Sequence, residues 1–423
     1  MVSMVEPGYR GIVTPGWVRD PLWTAARAVP SLDLRFAANR SLRDAVTGRE
    51  LVTFTRASSA AQINAAGAWD TVGNDAARFH HDPVTGQCLG LPVEEQRANL
   101  RTDSNAILAA NSYGATNATL TSVSISTPLG GTTASLFALN VGANTGNSTD
   151  SFNFGSAITL ANTTVYTQSI FVRMSGASVF RLRSNVTGEV FDITPSLGAP
   201  APSGTITACT VQPFRDGWFR ISWTFTSTTT APGNRGDHWS IKSDVADGVG
   251  GYHIAGAQIE AGAFATSYIP TAGTAVTRAA DIATLIGPPA NNIRTIYLEL
   301  QSPASGVRGI ASLNDNSANN RWELSTSGTD PKSDVVVGGV SQASIDGGTV
   351  TANVTTKIAA RISGSGYAIS VNGGAEVTAA AGSVPVFDRL MLGRNQAGNY
   401  LNGPIARLIG WSDSLMALHQ LTR

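Results

Sequence analysis

The run Phe219-Arg220-Ile221-Ser222-Trp223-Thr224-Phe225 carries an apolar side chain at every odd position and a polar one at every even position. Successive side chains of a strand point to opposite faces, so a period of two marks a β-strand with one face in a core. Arg215-Asp216-Gly217, just before it, is the turn that launches the strand. Working outward, similar patterns predict strands at 135–141, 164–174, 179–183 and 252–260, enough for an antiparallel sandwich over 106–280. A second sandwich is expected over 281–423, with strands near 295–300, 321–324, 357–362, 368–371 and 389–392. Asn372-Gly373 is a hairpin turn within it, and Ser412 or Ser414 ahead of Leu415, Leu418 and Leu421 predicts a short closing helix.

Towards the N-terminus the elements shorten. Leu32-Asp33-Leu34-Arg35-Phe36 and Leu51-Val52-Thr53-Phe54-Thr55 alternate as half-buried strands do, and turn signals bound them, so a small β-rich module is expected over 31–105. Residues 1–30 form an irregular arm in which Tyr9, Trp17 and Trp23 are large apolar groups ill suited to a solvated tail. They are expected to dock the arm on another protein, or else on the chain's own domain. The expected class is therefore all-β: an arm, a small module and two antiparallel sandwiches of jelly-roll or lectin-like type.

Composition narrows the function. Only 14% of residues are charged, against about 25% in an average globular protein. Lysine plus arginine and aspartate plus glutamate balance at 29 each, so no net field draws the chain to nucleic acid or an anionic bilayer. No stretch approaches the roughly 18 apolar residues of a membrane span, and residues 1–20 lack the pattern of a signal peptide. Cys88 and Cys209 fit no zinc spacing or disulfide framework. Free thiols and assembly in a host cytoplasm are the expectation, with release by lysis.

Named catalytic motifs are absent from the sequence. His80-His81 beside Asp82 has the composition of a metal site, yet neighbours on a strand point to opposite faces. Glu94-Glu95 are too close in sequence to flank one glycosidic bond, and Glu260 would need Asp237 or Asp244 as its partner. Asn314-Asp315-Asn316 offers three oxygen-bearing side chains for calcium, or simply a turn; no other cofactor is expected. A sugar site needs an aromatic platform, for which Trp239 and Tyr252, each beside glycine-rich sequence, are the candidates; packing in a core is the plainer role of both.

Three linked blocks, 52–60, 77–86 and 89–100, resemble the head-spike fibre modules of phages and gene transfer agents. The segments 216–225 and 255–271, with the exit Thr277-Arg278-Ala279-Ala280-Asp281, look like the carbohydrate-binding-module-like sandwiches that follow such blocks. Residues 389–394 and 401–415 resemble the closing strands of concanavalin-like or laminin-G-like domains. The resemblance implies a spike on a virion or phage-like particle, seated through its N-terminal part on a capsid or tail attachment protein. It implies adhesion to host capsular polysaccharide or lipopolysaccharide by a symmetric homo-oligomer, five-fold at a capsid vertex or three-fold in a tail fibre. An adaptor that carries a second spike fibre protein, and a capsule depolymerase, are the alternative functions.

Overall fold

The computed structural model describes residues 20–104, 107, 114–146, 151–153, 158–228, 239–302, 306–380, 382–415 and 417–423. Tyr9 and Trp17 of the expected arm, and Asp237, lie outside the described residues.

The 219–225 run belongs to the strand Trp218–Thr226, which lies between Val165–Ser175 and Ile206–Pro213 in a six-stranded antiparallel sheet. A five-stranded sheet containing Phe180–Ser184 and Trp239–Ser243 packs against it. Ile221, Trp223 and Phe225 enter the core between them, beside Phe137, Ile170 and Ile254. The even positions are covered as well: Arg220, Ser222 and Thr224 are all buried. Their cover includes the hairpin Ala60–Ile63 and Trp69–Val72, whose Trp69 joins Phe171, Phe214 and Trp218 in a separate apolar cluster on the outer face. Arg220 reaches this face, its guanidinium 5.8 Å from the Trp69 ring centre and bonded to the Thr266 carbonyl at 2.8 Å.

The second sandwich is discontinuous in sequence. Its eight-stranded sheet joins Thr295–Leu300, Thr356–Ser363, Gly366–Val371, Val377–Ala379 and Gly403–Trp411 to the early strands Leu32–Leu34, His80–His81 and Cys88–Val93. Its seven-stranded sheet takes Thr53–Thr55 as an edge strand, paired with Ile282–Ile286. Leu32, Leu34, Phe36, Val52, Phe54, Leu91 and Val93 accordingly share one core with Ile296, Leu313, Trp322 and Leu408. The expected division at 31–105 and 281–423 is thus corrected for strand pairing. Strands of two to six residues cannot bury an apolar face alone, and their partners lie hundreds of positions downstream, beyond the reach of local periodicity.

The 106–280 sandwich is an insertion in this host. The chain leaves along Arg97–Asn99 and returns along Val276–Arg278, and these two segments pair antiparallel as a neck. From the neck, Gly251–Ala261 runs the length of the inserted sandwich, an 11-residue strand of about 35 Å.

Both ends of the described chain sit on the outer face of the eight-stranded sheet. Leu22, Ala25 and Ala26 of the Pro21–Ala26 helix pack there with Tyr297, Trp411, Leu418 and Leu421. The closing helix expected from Leu415, Leu418 and Leu421 is, among the described residues, a single 3-10 turn, Leu418–Gln420. A spacing of three residues is the natural period of that tighter helix.

Trp223 is fully buried in the inserted core, so Trp223→Ala is expected to lower unfolding free energy by about 3–5 kcal/mol in urea titrations.

Candidate functional site

Each linked block contributes charge to one buried cluster at the base of the neck. Arg56 follows the Thr53–Thr55 strand, Arg78 precedes His80–His81, Glu94 follows Cys88–Val93, and Arg278 and Asp281 lie where the returning chain enters the host. Arg56, Arg78, Arg278 and Asp281 are at most 1% exposed and Glu94 4%, so solvent does not screen them.

Asp281 takes Arg56 Nη1 at 3.1 Å on one oxygen and Arg78 Nη2 at 2.5 Å on the other. The second oxygen also accepts the Glu94 backbone N–H at 3.0 Å. Glu94 Oε2 holds Arg78 Nη2 at 2.8 Å and Arg278 Nη1 at 3.2 Å, while Oε1 accepts the Ser267 N–H at 2.9 Å. Further guanidinium donors reach carbonyls, Arg56 those of Ser58 and Gly73, Arg78 that of Ala61 and Arg278 that of Glu95, while the Nε groups of Arg78 and Arg278 are buried without a hydrogen-bond partner among the described residues. Burial disfavours ionised Glu94, but Arg278 and Arg78 outweigh it and hold the carboxyl well below its usual range. A carboxylate so neutralised has no proton to give at neutral pH and no lone pair facing a substrate. The cluster is a clamp that ties Ala60–Ile63, the neck and the inserted sandwich to the host.

The two histidines complete the clamp. His80 Nδ1 accepts the Ile63 N–H at 3.1 Å, and His81 Nδ1 donates to the Ile63 carbonyl at 2.9 Å. His80 Nε2 therefore carries the proton and donates to Ser267 Oγ at 3.0 Å. Burial first, then Arg78, pushes the His80 pKa down to about 3. Asp82 accepts the N–H groups of Val84 and Thr85 in a turn, so the triplet gathers no ligand set. Among the described residues no group of three histidine, cysteine, aspartate or glutamate side chains is placed to hold a metal.

The expected sugar platforms are core residues. Trp239 is 1% exposed and lies in the inserted core, and Tyr252 is fully buried, stacked on Phe137 at 5.9 Å. The Tyr252 hydroxyl lies 2.5 Å from the Val179 carbonyl and 2.6 Å from that of Lys242. Neither ring face reaches solvent, because both residues head or line strands whose alternation turns them inward. Asn314-Asp315-Asn316 is a turn. Asn314 is buried with its amide on Ser312 Oγ, while Asp315 accepts from Ser317 and Asn320. Glu260 is buried and holds the Thr266 N–H and hydroxyl, and Asp244 caps Ser178. Trp23, expected in a docking arm, donates to Asp33 Oδ2 at 3.1 Å and lies under Arg35, so it packs on its own sandwich. Cys88 and Cys209 are free thiols.

An open cleft of about 380 Å³ lies on the outer face of the eight-stranded sheet. Glu299 and Arg407 are paired positions on adjacent strands in its floor. Arg35, Ala37 and Ala38 form one wall, Gln87, Cys88 and Leu89 another, with Gln301, Thr355 and Asp20 at the margins. Arg407 and Arg35 both grip buried Asp33, at 2.7–2.9 Å, and both reach Asp20, at 2.8 and 3.0 Å. The sequence hid this site, since Leu32-Asp33-Leu34 looks like a strand whose aspartate faces water. In the fold Asp33 is 0% exposed beneath Trp23 and the two arginines.

The chain is thus an all-β protein of two antiparallel sandwiches, one inserted in the other, with a clamped neck and a polar cleft. No family model and no curated protein matches its sequence. Among solved structures it is similar to the CBM40 module of the Ruminococcus gnavus IT-sialidase bound to alpha2,3 sialyllactose, with 16% identity and a TM-score of 0.28 over 31% of this chain and 83% of that one. It is similar to domains LG4-5 of the mouse laminin alpha1 chain, with 9% identity and a TM-score of 0.24 over 61% and 87% of the two chains. The SAP-like pentraxin of Limulus polyphemus is similar at 13% identity and a TM-score of 0.24, over 31% and 68%.

Removing one partner of a buried ion pair strands the others without compensation, so Asp281→Ala is expected to cost about 3–5 kcal/mol of unfolding free energy. Glu299→Gln, on the cleft floor, should leave the urea midpoint unchanged in the same experiment.

Acid should weaken the clamp in two stages. The unfolded chain protonates His80 near its ordinary value of 6.5, whereas the folded chain resists until about 3. The depressed folded value means that this stability is present above 6.5 and is lost as pH falls through the window between the two values, by about 2 kcal/mol at pH 5. Glu94, also depressed, adds its loss only below about 4.5. Urea midpoints recorded from pH 7 to 4 should slope less for His80→Gln than for the wild type between pH 6.5 and 4.5.

Proposed function

We propose that the chain is a surface spike of a phage-like particle that adheres to host cell-surface polysaccharide. The observation that carries this reading is the display geometry. One sandwich stands on a two-stranded neck above another, and the joint is built from the linked sequence blocks that resemble head-spike modules. In this reading the N-terminal part of the chain seats on a capsid or tail attachment protein, and both sandwiches face outward. Copies arranged about the particle's symmetry axis raise weak single-site binding by multivalency.

A particle lacking this chain should adsorb to encapsulated cells at least ten-fold less well than the complete particle, and equally poorly to acapsular cells. Normal adsorption without the chain would overturn the reading.

The adaptor role has one observation in its favour. Val141 and Val249, 81% and 73% exposed, lie in loops at the end of the inserted sandwich away from the neck. Exposed apolar side chains suit a protein partner better than a hydroxylated sugar. Under this role the purified chain would capture a second fibre protein from particle lysates and leave adsorption of complete particles uncontested when added in excess.

A further inference from the structure

We propose that the outer-face cleft of the host sandwich is a binding site for a neutral pyranose. This inference rests on the adhesive reading above and gives it a site, in a place different from the two aromatic residues that the sequence suggested.

The size is suitable. At about 380 Å³ the cleft lies at the small end of small-molecule sites, which run from about 300 to 1,000 Å³. The lining pairs polar groups with apolar surface that is aliphatic and not the aromatic platform expected from the sequence. Ala37 and Ala38 on one wall and Leu89 on the other supply apolar contact for the C–H groups. Hydrogen-bonding capacity comes from groups that the fold fixes in place but does not exhaust.

Arg35 and Arg407 are each held by Nε and Nη2 on Asp33 and Asp20, and among the described residues neither Nη1 donates to the protein. Glu299 accepts one long hydrogen bond, 3.4 Å from the Tyr297 hydroxyl to Oε2, and forms no ion pair among the described residues. Gln301 Nε2 is oriented by Thr355 Oγ1 at 3.1 Å, which leaves its carbonyl oxygen to accept. Two donors on rigid guanidiniums and two acceptors on a carboxylate and an amide match adjacent hydroxyl groups, each of which gives one proton and takes another. Because Asp33 locks both arginines before any ligand arrives, little side-chain entropy is lost on binding.

Charge decides which sugar. The charges of the two arginines are already met by Asp20 and Asp33, and Glu299, which forms no ion pair among the described residues, tips the cleft to a net negative charge that disfavours a uronate, a sialate or a phosphate. A carboxylate-bearing sugar would meet Glu299 as a like charge.

The test is binding of the full chain to an array of neutral and acidic glycans, followed by calorimetry on the hits with wild type, Glu299→Ala and Gln301→Ala. Neutral hexose-terminated glycans should bind, and each substitution should weaken them at least ten-fold without moving the urea midpoint. Glycan binding that both variants retain would put the sugar site elsewhere, overturning this proposal while leaving the adhesin reading intact. Preference for uronate-terminated glycans would overturn the ligand class. Neutral glycans that bind only after removal of residues 1–19 would assign the cleft to the chain's own arm, which again overturns the proposal. Failure of the adhesin reading has its own signature, unchanged adsorption of particles that lack the chain.

Discussion

Asp281 is the constraint on which the architecture turns. A carboxylate with no exposure to water is stable only if its charge is met on every side, and it is met by Arg56, Arg78 and the N–H of Glu94. Those partners come from three separate stretches of chain, so none is in place until the early strands have joined the host sheets. The electrostatics therefore select one arrangement of strands over any register that merely hides apolar side chains. Hydrophobic burial is non-directional, and the two apolar cores would tolerate more than one way of seating the neck. The ion cluster would not.

The same cluster explains why the short strands between residues 32 and 99 hold their places. Segments such as Thr53–Thr55 and His80–His81 contribute few ladder bonds and little core. Their fixation comes from side chains at their ends: Arg56 beyond the first, Arg78 before the second, and the two imidazoles that grip Ile63 from the N–H and carbonyl sides. Beyond the cluster, Phe264 of the inserted sandwich lies between the guanidiniums of Arg97 in the neck and Arg308 in the host, 4.9 and 4.2 Å from its ring centre. Cation–π contacts thus brace the joint on a second side.

Much of the fold was legible because the strand period is local. The alternation at 219–225, the Arg215-Asp216-Gly217 turn and the Asn372-Gly373 turn are all present, with Asp216, Asn372 and Gly373 at positive φ. What local pattern cannot carry is partnership at a distance. It marks Leu32-Asp33-Leu34 as a strand without showing that Gly403–Trp411 is its neighbour, or that Trp23 covers its outer face. It also reads one buried face in Trp218–Thr226 where the fold buries two. The aromatic platforms failed for the same reason: Trp239 and Tyr252 sit beside loops in sequence but turn inward. The clamp was not legible from local pattern, since no periodicity assigns three arginines to two carboxylates nearly two hundred positions apart.

The neck has a mechanical consequence. Its two strands leave the host side by side, so a pull on the inserted sandwich tugs both in the same direction and does not peel one from the other. Below the neck they diverge: Cys88–Val93 runs into the eight-stranded sheet beside Gly403–Trp411, and Ile282–Ile286 into the seven-stranded sheet beside Arg389–Leu392. Tension is therefore divided between opposite walls of one sandwich, with the ion cluster at the fork where the load splits. Each wall would have to shear along its hydrogen-bond ladder before the joint could open, a loading mode in which many bonds share the force at once.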